Sequence, residues 1–291
     1  MTSRIALIGA SLALVLAACG GSADPDRVSS EGTTSSSTTT TVATATEGGT
    51  EGGSGGASGS AGAGASPTTV AASNQGGGTA PSAAGAAQPS RAGTYTYDTD
   101  GESTTTGGLG GTETLPTRTT LKVDPASGNR QTSVRDMRAA DGDGSVATST
   151  LQYRDDGVYL EHLKIQARTS GVTITYEFRP SPAQLLTPTG AGVGYHTEFT
   201  LTSTNGGLTT TTTVDVLKEE TLNIGGVSVR TFLVKTATEV SGDASGTTVS
   251  NDNISPERSL TVREDSVSDL QTPFGKTHTE QVSVLRSLDP S

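Results

Sequence analysis

The chain has 291 residues, a formal net charge of −11, one cysteine and no tryptophan. Three arginines against five carboxylates in residues 1–91 leave a net charge of −9 for residues 92–291. Acidity without clusters of Lys or Arg argues against binding to nucleic acid or to anionic lipid headgroups. A single cysteine excludes a disulfide within the chain and a Cys-based metal site.

Residues 1–18 have the pattern of a signal peptide. Arg4 supplies a positive start, and the apolar run Ile5–Leu16 is too short to span a bilayer as a helix. The run ends in Leu16-Ala17-Ala18-Cys19, which resembles the lipobox of bacterial lipoproteins. The resemblance implies cleavage between Ala18 and Cys19 and a diacylglycerol, with palmitate-type chains, on the Cys19 sulfur.

The lipobox predicts where the protein is found. Two acyl chains hold a protein stably on a membrane, whereas one holds it weakly. We therefore expect Cys19 to anchor the mature chain at the outer, extracytoplasmic face of the cell membrane. The alternative is an ordinary secretory signal followed by an unmodified thiol.

Residues 19–91 are predicted to be a disordered linker. From Gly20 to Arg91 the chain has no aromatic residue, Leu or Ile, and its large apolar side chains are Val28, Val42 and Val70. Such a segment buries too little apolar surface to offset the entropy of ordering it. Its root-mean-square span is on the order of 45–50 Å, enough to lift a domain off the membrane. The Ala-, Gly- and Thr-rich composition is typical of a high-GC actinobacterium.

Residues 92–291 are predicted to form an all-β extracellular domain. Val172–Arg179 alternates apolar and polar side chains, and Gly157–Ala167 is expected to place Tyr159, Leu163, Ile165 and Ala167 on one face. Further strands are predicted at 93–98, 117–124, 130–138, 145–154, 196–204, 208–217, 227–240, 246–253, 259–264 and 278–287. Pro180–Leu186 is interpreted as one short helical turn.

Short strands joined by local turns favour an antiparallel meander that forms a strongly curved sheet or half-barrel. All ten aromatic residues belong to this domain, and its core of Val, Leu, Ile and Thr is predicted to be thin. One interpretation is that the sheet curves around a cavity.

Two stretches near the C-terminus carry a further resemblance. Thr221–Val240 and Asn253–Asp265 are similar to consecutive hairpins of β-rich envelope domains, in which a Ser-Pro turn leads into a strand reading Leu-x-Val-Arg. Those domains are similar in shape to LolA-like carriers and mycobacterial lipid-binding lipoproteins. The resemblance covers about the last 70 residues and implies a curved sheet. Ile254 stands where those proteins often have Trp.

The search for chemistry finds no catalytic, cofactor or metal site. His162, His196 and His278 lack metal-ligand spacing. Asp141–Ser145 begins like a calcium loop, but Gln152 stands where the twelfth-position Glu would be, so a hairpin turn is favoured.

Nucleophilic and acid–base candidates are also missing. Residues 92–291 contain no Gly-x-Ser-x-Gly. The adjacent pairs Asp155-Asp156 and Glu219-Glu220 would point to opposite faces of a strand, and are interpreted as solvated turns. These observations predict that the protein is not an enzyme.

Two roles remain open for the domain. The first is a non-catalytic binding or carrier module for an apolar ligand or lipid. The alternative is a structural or interaction module displayed to cell-wall proteins. A third, an enzyme acting on the wall, lacks a candidate site.

Overall fold

The computed structural model of the protein describes residues 88–106, 111–169, 172–272 and 275–291. The signal peptide, Ala18, Cys19 and the linker up to residue 87 lie outside these residues, so cleavage and lipidation stay predictions. Within the described ranges, no helix has the length and hydropathy needed to cross a bilayer.

The described residues form fourteen β-strands. They are β1 (Gly93–Thr106), β2 (Gly111–Thr114), β3 (Arg118–Val123), β4 (Arg130–Asp136), β5 (Gly144–Arg154), β6 (Gly157–Thr169), β7 (Val172–Phe178), β8 (Gln184–Pro188), β9 (His196–Thr202), β10 (Leu208–Ile224), β11 (Val227–Gly242), β12 (Ser245–Ser255), β13 (Leu260–Thr272) and β14 (Gly275–Leu285).

All fourteen strands belong to one antiparallel sheet. Its order is β7-β6-β5-β4-β3-β1-β14-β13-β12-β11-β10-β9, with β2 paired to β1 and β8 paired to β6. The order follows the chain except at β1, which lies between β3 and β14. The predicted antiparallel meander is therefore confirmed.

The sheet curls until its two ends, β7 and β9, approach each other. The Thr204 N–H donates to the Glu177 carbonyl at 2.7 Å, and Phe178, Phe199 and Leu201 belong to one apolar cluster. Pro180 and Pro182 follow β7 and have no N–H to extend this pairing. The result is a nearly closed barrel, which confirms the predicted curved sheet.

The segment after β7 differs from the prediction. The helical turn expected at Pro180–Leu186 is wrong, because Gln184–Pro188 forms β8 and pairs with the start of β6. Leu186 on this strand is buried in the same apolar cluster as Phe178. An edge position on the sheet thus buries a side chain that an isolated turn would leave exposed.

A β-bulge in β6 corrects the predicted face of one residue. Thr150 pairs with His162 and Leu151 with Leu160, so Glu161 is an extra residue. The bulge shifts the alternation by one position, and Tyr159 therefore lies on the outer face, unlike Leu163 and Ile165.

The barrel interior has two chemically different walls. The inward faces of β5–β9, here called the apolar wall, are mostly apolar, whereas those of β1 and β10–β14, the hydroxyl wall, carry many Ser and Thr. The apolar wall includes Leu151, Tyr153, Val158, Leu160, Leu163, Ile165, Ala167, Tyr176, Phe178, Leu186, Phe199 and Leu201. The hydroxyl wall includes Thr99, Ser103, Thr105, Thr210, Thr212, Thr236, Thr238, Thr248, Ser250, Ser266, Ser268, Thr277, Thr279 and Ser283.

Candidate functional site: a buried charged cluster and polar cavity

The site is built around Arg135, an inward-facing residue of β4. Its side chain is 3 % exposed, and its guanidinium carbon lies 4.0 Å from the centre of the Tyr97 ring. Its Nη2 lies 3.7 Å from Glu264 Oε2, beyond hydrogen-bond distance. Among the described residues, Nε and Nη2 have no hydrogen-bond partner.

Two buried carboxylates complete the charged cluster. Asp252 on β12 and Glu264 on β13 are direct cross-strand partners, and both are fully buried. Burial raises the pKa of Glu264 to about 7, against the opposing effect of Arg135. Burial, followed by the charge of Glu264, raises the pKa of Asp252 well above its usual range, although Ser250 donates to Asp252 Oδ2 at 2.8 Å. With one proton on the pair, the cluster is neutral.

A cavity of about 40 Å³ lies beside Arg135. Its lining consists of Ser90, Tyr97, Leu121, Val123, Gln131, Ser133, Arg135, Ser149, Leu151, Tyr153, Ser259, Leu260 and Thr261. Such a volume holds about two or three waters. It is far below the 300–1,000 Å³ of ordinary ligand pockets.

The residues just before β1 cover this cavity. The backbone of Ser90 exchanges two hydrogen bonds with the Gln131 side chain, with N to Oε1 at 2.9 Å and Nε2 to O at 2.7 Å. Ser90 Oγ also donates to the Ser259 carbonyl at 2.7 Å, and Ser259 Oγ donates to the Gln88 carbonyl at 2.6 Å. The last residues of the predicted linker are therefore attached to the end of the barrel at the cavity.

Ser259 has a strained backbone. Among the described residues, Ser259 is the one non-glycine residue with a positive φ, +49°. It lies in the turn after Ser255-Pro256 that the sequence predicts. Such conformations cost about 1–3 kcal/mol unless surrounding contacts hold them. The two hydrogen bonds to Gln88 and Ser90 are contacts of this kind.

The three histidines lie apart on the outer surface, each beside carboxylates. His162 Nε2 is 2.9 Å from Glu177 Oε1, and His196 Nδ1 is 2.7 Å from Asp215 Oδ1. His278 lies between Asp269 and Glu280 at 3.0 and 3.2 Å. No group of three or more potential ligands that could hold a metal occurs within the described residues.

The acidic motifs lie in two kinds of position. Asp141–Asp143 is a turn between β4 and β5, as favoured, in which the Asp143 N–H donates to Asp141 Oδ1 at 3.2 Å. Asp155-Asp156 is an exposed turn, also as predicted. Glu219-Glu220 is instead inside β10, where Glu219 pairs with Arg230 and Glu220 with Lys218.

Sequence reasoning missed the charged cluster. A usable signal exists, because Glu264 follows Val262 and Asp252 follows Ser250 at two-residue spacing. This spacing places each carboxylate on the same strand face as its neighbour. A charge in the inward phase of a strand is the signature of such a buried group.

Comparisons with known proteins do not assign the chain to a family. No protein-family model matches it, and no curated protein is significantly similar in sequence. It matches a crystal structure of a Parabacteroides distasonis protein that is provisionally described as a lipoprotein. The identity is 10 %, the alignment covers 70 % of this chain and 98 % of the other, and the TM-score is 0.38.

Proposed function

We propose that this protein is a lipoprotein anchored by Cys19 at the outer face of the cell membrane. Its β domain acts as a non-catalytic module displayed to cell-wall proteins. The observations that support display over lipid carriage are the small polar cavity beside Arg135 and the packing of apolar side chains from both walls in one cluster.

A lipid carrier requires an apolar cavity large enough for an acyl chain. Where a cavity occurs beside Arg135, it is about 40 Å³ and bordered by a cation and several hydroxyl groups. Elsewhere, apolar side chains of β5–β9 pack in one cluster with Val214, Val234 and Leu270 from the opposite wall. This packing favours the outer surface of the domain as the functional one.

The domain is also suited to display because its sheet is held together without disulfides. Its sheet joins the first strand to the last, with β1 paired to β14 over ten residue pairs. The two ends of the β domain are held together as well, since the Thr94 and Ser291 backbones exchange hydrogen bonds at 3.1 and 3.0 Å. A nearly closed barrel that follows the predicted linker would present a stable surface away from the membrane.

Detergent phase separation of protein made in a native-type host tests the anchor. We expect the wild-type chain in the detergent phase, with mass spectrometry showing a diacylglyceryl group on Cys19 as the N-terminal residue. The Cys19→Ser variant should stay in the aqueous phase, and a Ser22→Ala control should behave as wild type. Wild-type protein with a bare sulfur in the aqueous phase would contradict the proposal.

Lipid analysis separates display from carriage. We expect native mass spectrometry of the folded Cys19→Ser protein to show no co-purifying lipid. Stoichiometric lipid that survives purification of this variant would instead support the carrier role. The anchor and the absence of a bound lipid are thus tested by independent readouts.

A further inference from the structure

The cavity beside Arg135 has an unbalanced set of lining groups. Its lining includes one full charge, the guanidinium of Arg135, and no carboxylate. This side chain is 3 % exposed, and its Nε and Nη2 have no partner among the described residues. A buried cation with unused N–H groups is costly unless an acceptor reaches it.

Among the other polar groups of the lining, the Ser133–Ser149 pair is the one that offers a free donor, because the Gln131 and Tyr97 donors are already used. The Gln131 amide N–H groups donate to Ser90 and Asp124 carbonyls, and the Tyr97 hydroxyl donates to the Thr261 carbonyl. The hydroxyls of Ser133 and Ser149 are 2.9 Å apart. Because one donates to the other, the second keeps its hydrogen for another acceptor.

We propose that this cavity is a binding site for one small monovalent anion of about the size of chloride, held by Arg135 and the Ser133–Ser149 hydroxyl pair. A volume of about 40 Å³ accommodates a monatomic anion with a water but excludes larger organic acids. The side edge of a guanidinium, with two parallel N–H groups, is a favourable donor for an anion.

Anion binding is coupled to proton uptake by the charged cluster. The groups around Arg135 are Tyr97 on β1, Asp252 on β12, Glu264 on β13 and Tyr153 on β5, which also lines the cavity. When Glu264 is ionised, its carboxylate neutralises Arg135 from a position 3.7 Å from Nη2, and an added anion is repelled. When both carboxylates are protonated, Arg135 lacks a counter-ion, so the anion binds more tightly.

The end of the linker covers the site. The Ser90 hydrogen bonds to Gln131 and Ser259 lie over the cavity. Entry of an anion therefore requires these few bonds to open, while the strands of the barrel stay in place. Arg91, at the same end, is 65 % exposed and pairs with Asp289, and its charge favours the approach of an anion.

Thermal unfolding of the full chain in mild detergent tests the site. Melting is followed by circular dichroism in chloride, bromide or gluconate at matched ionic strength, at about pH 5 and about pH 8. We expect chloride and bromide, but not the larger gluconate, to raise Tm by about 3–5 °C at the lower pH. At the higher pH the three salts should give the same Tm.

Two variants connect this effect to the cavity. Ser149→Val fills the cavity without changing its charge and should abolish the chloride effect, whereas Thr148→Val, an outward-facing control on the same strand, should keep it. The double change Glu264→Gln and Asp252→Asn removes both competing carboxylates and should restore the effect at the higher pH. In bromide-soaked crystals, an anomalous peak should lie within hydrogen-bond distance of Arg135 Nε or Nη2.

Equal melting in all three salts would overturn the proposal, and water alone would then be assigned to the cavity. A chloride effect that persists in folded Ser149→Val would also overturn it, because the anion would then act elsewhere. Neither result depends on lipidation of Cys19, so failure here is separate from failure of the proposed function.

Discussion

The apolar wall and the hydroxyl wall close the same barrel by different physical means. On the apolar wall, Leu160, Leu163 and Phe178 are almost completely buried in a cluster with no directional requirement. On the hydroxyl wall, many side chains bond in cross-strand pairs, such as Ser103 with Thr279 at 2.9 Å and Thr248 with Ser268 at 3.0 Å, although the Thr210 and Thr236 hydroxyls have no partner among the described residues. The apolar wall is stable when its side chains fill the space between them, whereas the hydroxyl wall is stable when its hydroxyls have hydrogen-bond partners.

This difference determines what each wall contributes. Apolar burial stabilises by about 25 cal/mol per Å². A hydroxyl pair contributes only about 0.5–1.5 kcal/mol, but leaving one hydroxyl unpaired costs about 1–3 kcal/mol. A one-residue slip of β13 would turn the inward hydroxyls of that strand to the outer face and leave their partners without hydrogen bonds. The hydroxyl wall therefore specifies register more than it adds stability.

The largest effect is expected from a cavity in the apolar wall. Phe178→Ala should lower the free energy of unfolding by about 3–5 kcal/mol, because a fully buried ring at the β7–β9 closure leaves a void. Urea unfolding of the full chain measures the change. Thr175→Ala, an exposed position on the same strand, is the matched control. A loss below about 1 kcal/mol for Phe178→Ala would show that the closure does not depend on this packing.

The next largest effect concerns the carboxylates on the hydroxyl wall. Because burial raises the pKa of Glu264 from 4.5 to about 7, the folded state binds a proton more tightly than the unfolded state. This stabilisation is fully present below about pH 4.5 and is lost as the pH rises through about 7. The domain should therefore lose on the order of 2–4 kcal/mol between about pH 5 and about pH 8.

Glu264→Gln isolates this effect. Residue 264 of the variant cannot ionise, so the free energy of unfolding should vary less over the same pH range, and Asp252 remains as the one titrating member of the pair. Asp265→Asn, the neighbouring residue on the outer face of β13, should keep the wild-type dependence. The carboxylates paired with cations, such as Asp136 and Glu219, have a lowered pKa and act in the opposite direction at lower pH. A wild-type protein more stable at the higher pH would contradict the assignment.

The two walls also differ in how far the sequence predicts them. Val172–Phe178 shows a clear apolar alternation and is a strand, in which Tyr176 and Phe178 are buried as predicted but Val172 is 53 % exposed. The strand predicted at 93–98 instead continues to Thr106, because Thr99, Ser103 and Thr105 take over the inward positions after Tyr97. The same cause extends the strand predicted at 259–264 as far as Thr272. Apolar periodicity cannot detect an interior made of hydroxyl groups.

The candidate site was missed for a related reason. Asp252 and Glu264 are partners on the consecutive strands β12 and β13, but Arg135 on β4 is far from both in sequence and reaches Glu264 across the interior. Only the curvature that places β4 opposite β13 brings them together. The fold class could be predicted from local patterns, whereas this cluster depends on barrel closure.

A smaller effect tests whether hydrogen-bonded hydroxyls on the hydroxyl wall stabilise the fold as pairs. The hydroxyls of Thr212 and Thr238 are bonded at 3.1 Å across β10 and β11, and both are buried. Either single Thr→Val change should cost about 1 kcal/mol, because the remaining hydroxyl loses its partner. The double variant keeps the shape and removes both hydroxyls, so it should cost less than the sum. Additive costs would mean that the pair is not coupled.

The smallest effect is expected on the outer surface of the hydroxyl wall. Hydrogen bonds to Asp269 and then Glu280 raise the pKa of His278, which favours its charged form in the folded state. This stabilisation is present below the ordinary pKa of histidine and is lost as the pH rises through the raised value. Because the side chain is 44 % exposed, solvent screening limits the contribution to a few tenths of a kcal/mol.

His278→Gln should therefore leave the pH dependence almost unchanged, and NMR titration of the ring should still show the raised pKa in the wild type. If His278→Gln abolished the fall in stability between about pH 5 and about pH 8, the titrating group would be on the outside of the barrel, and the buried carboxylate pair would not be its source.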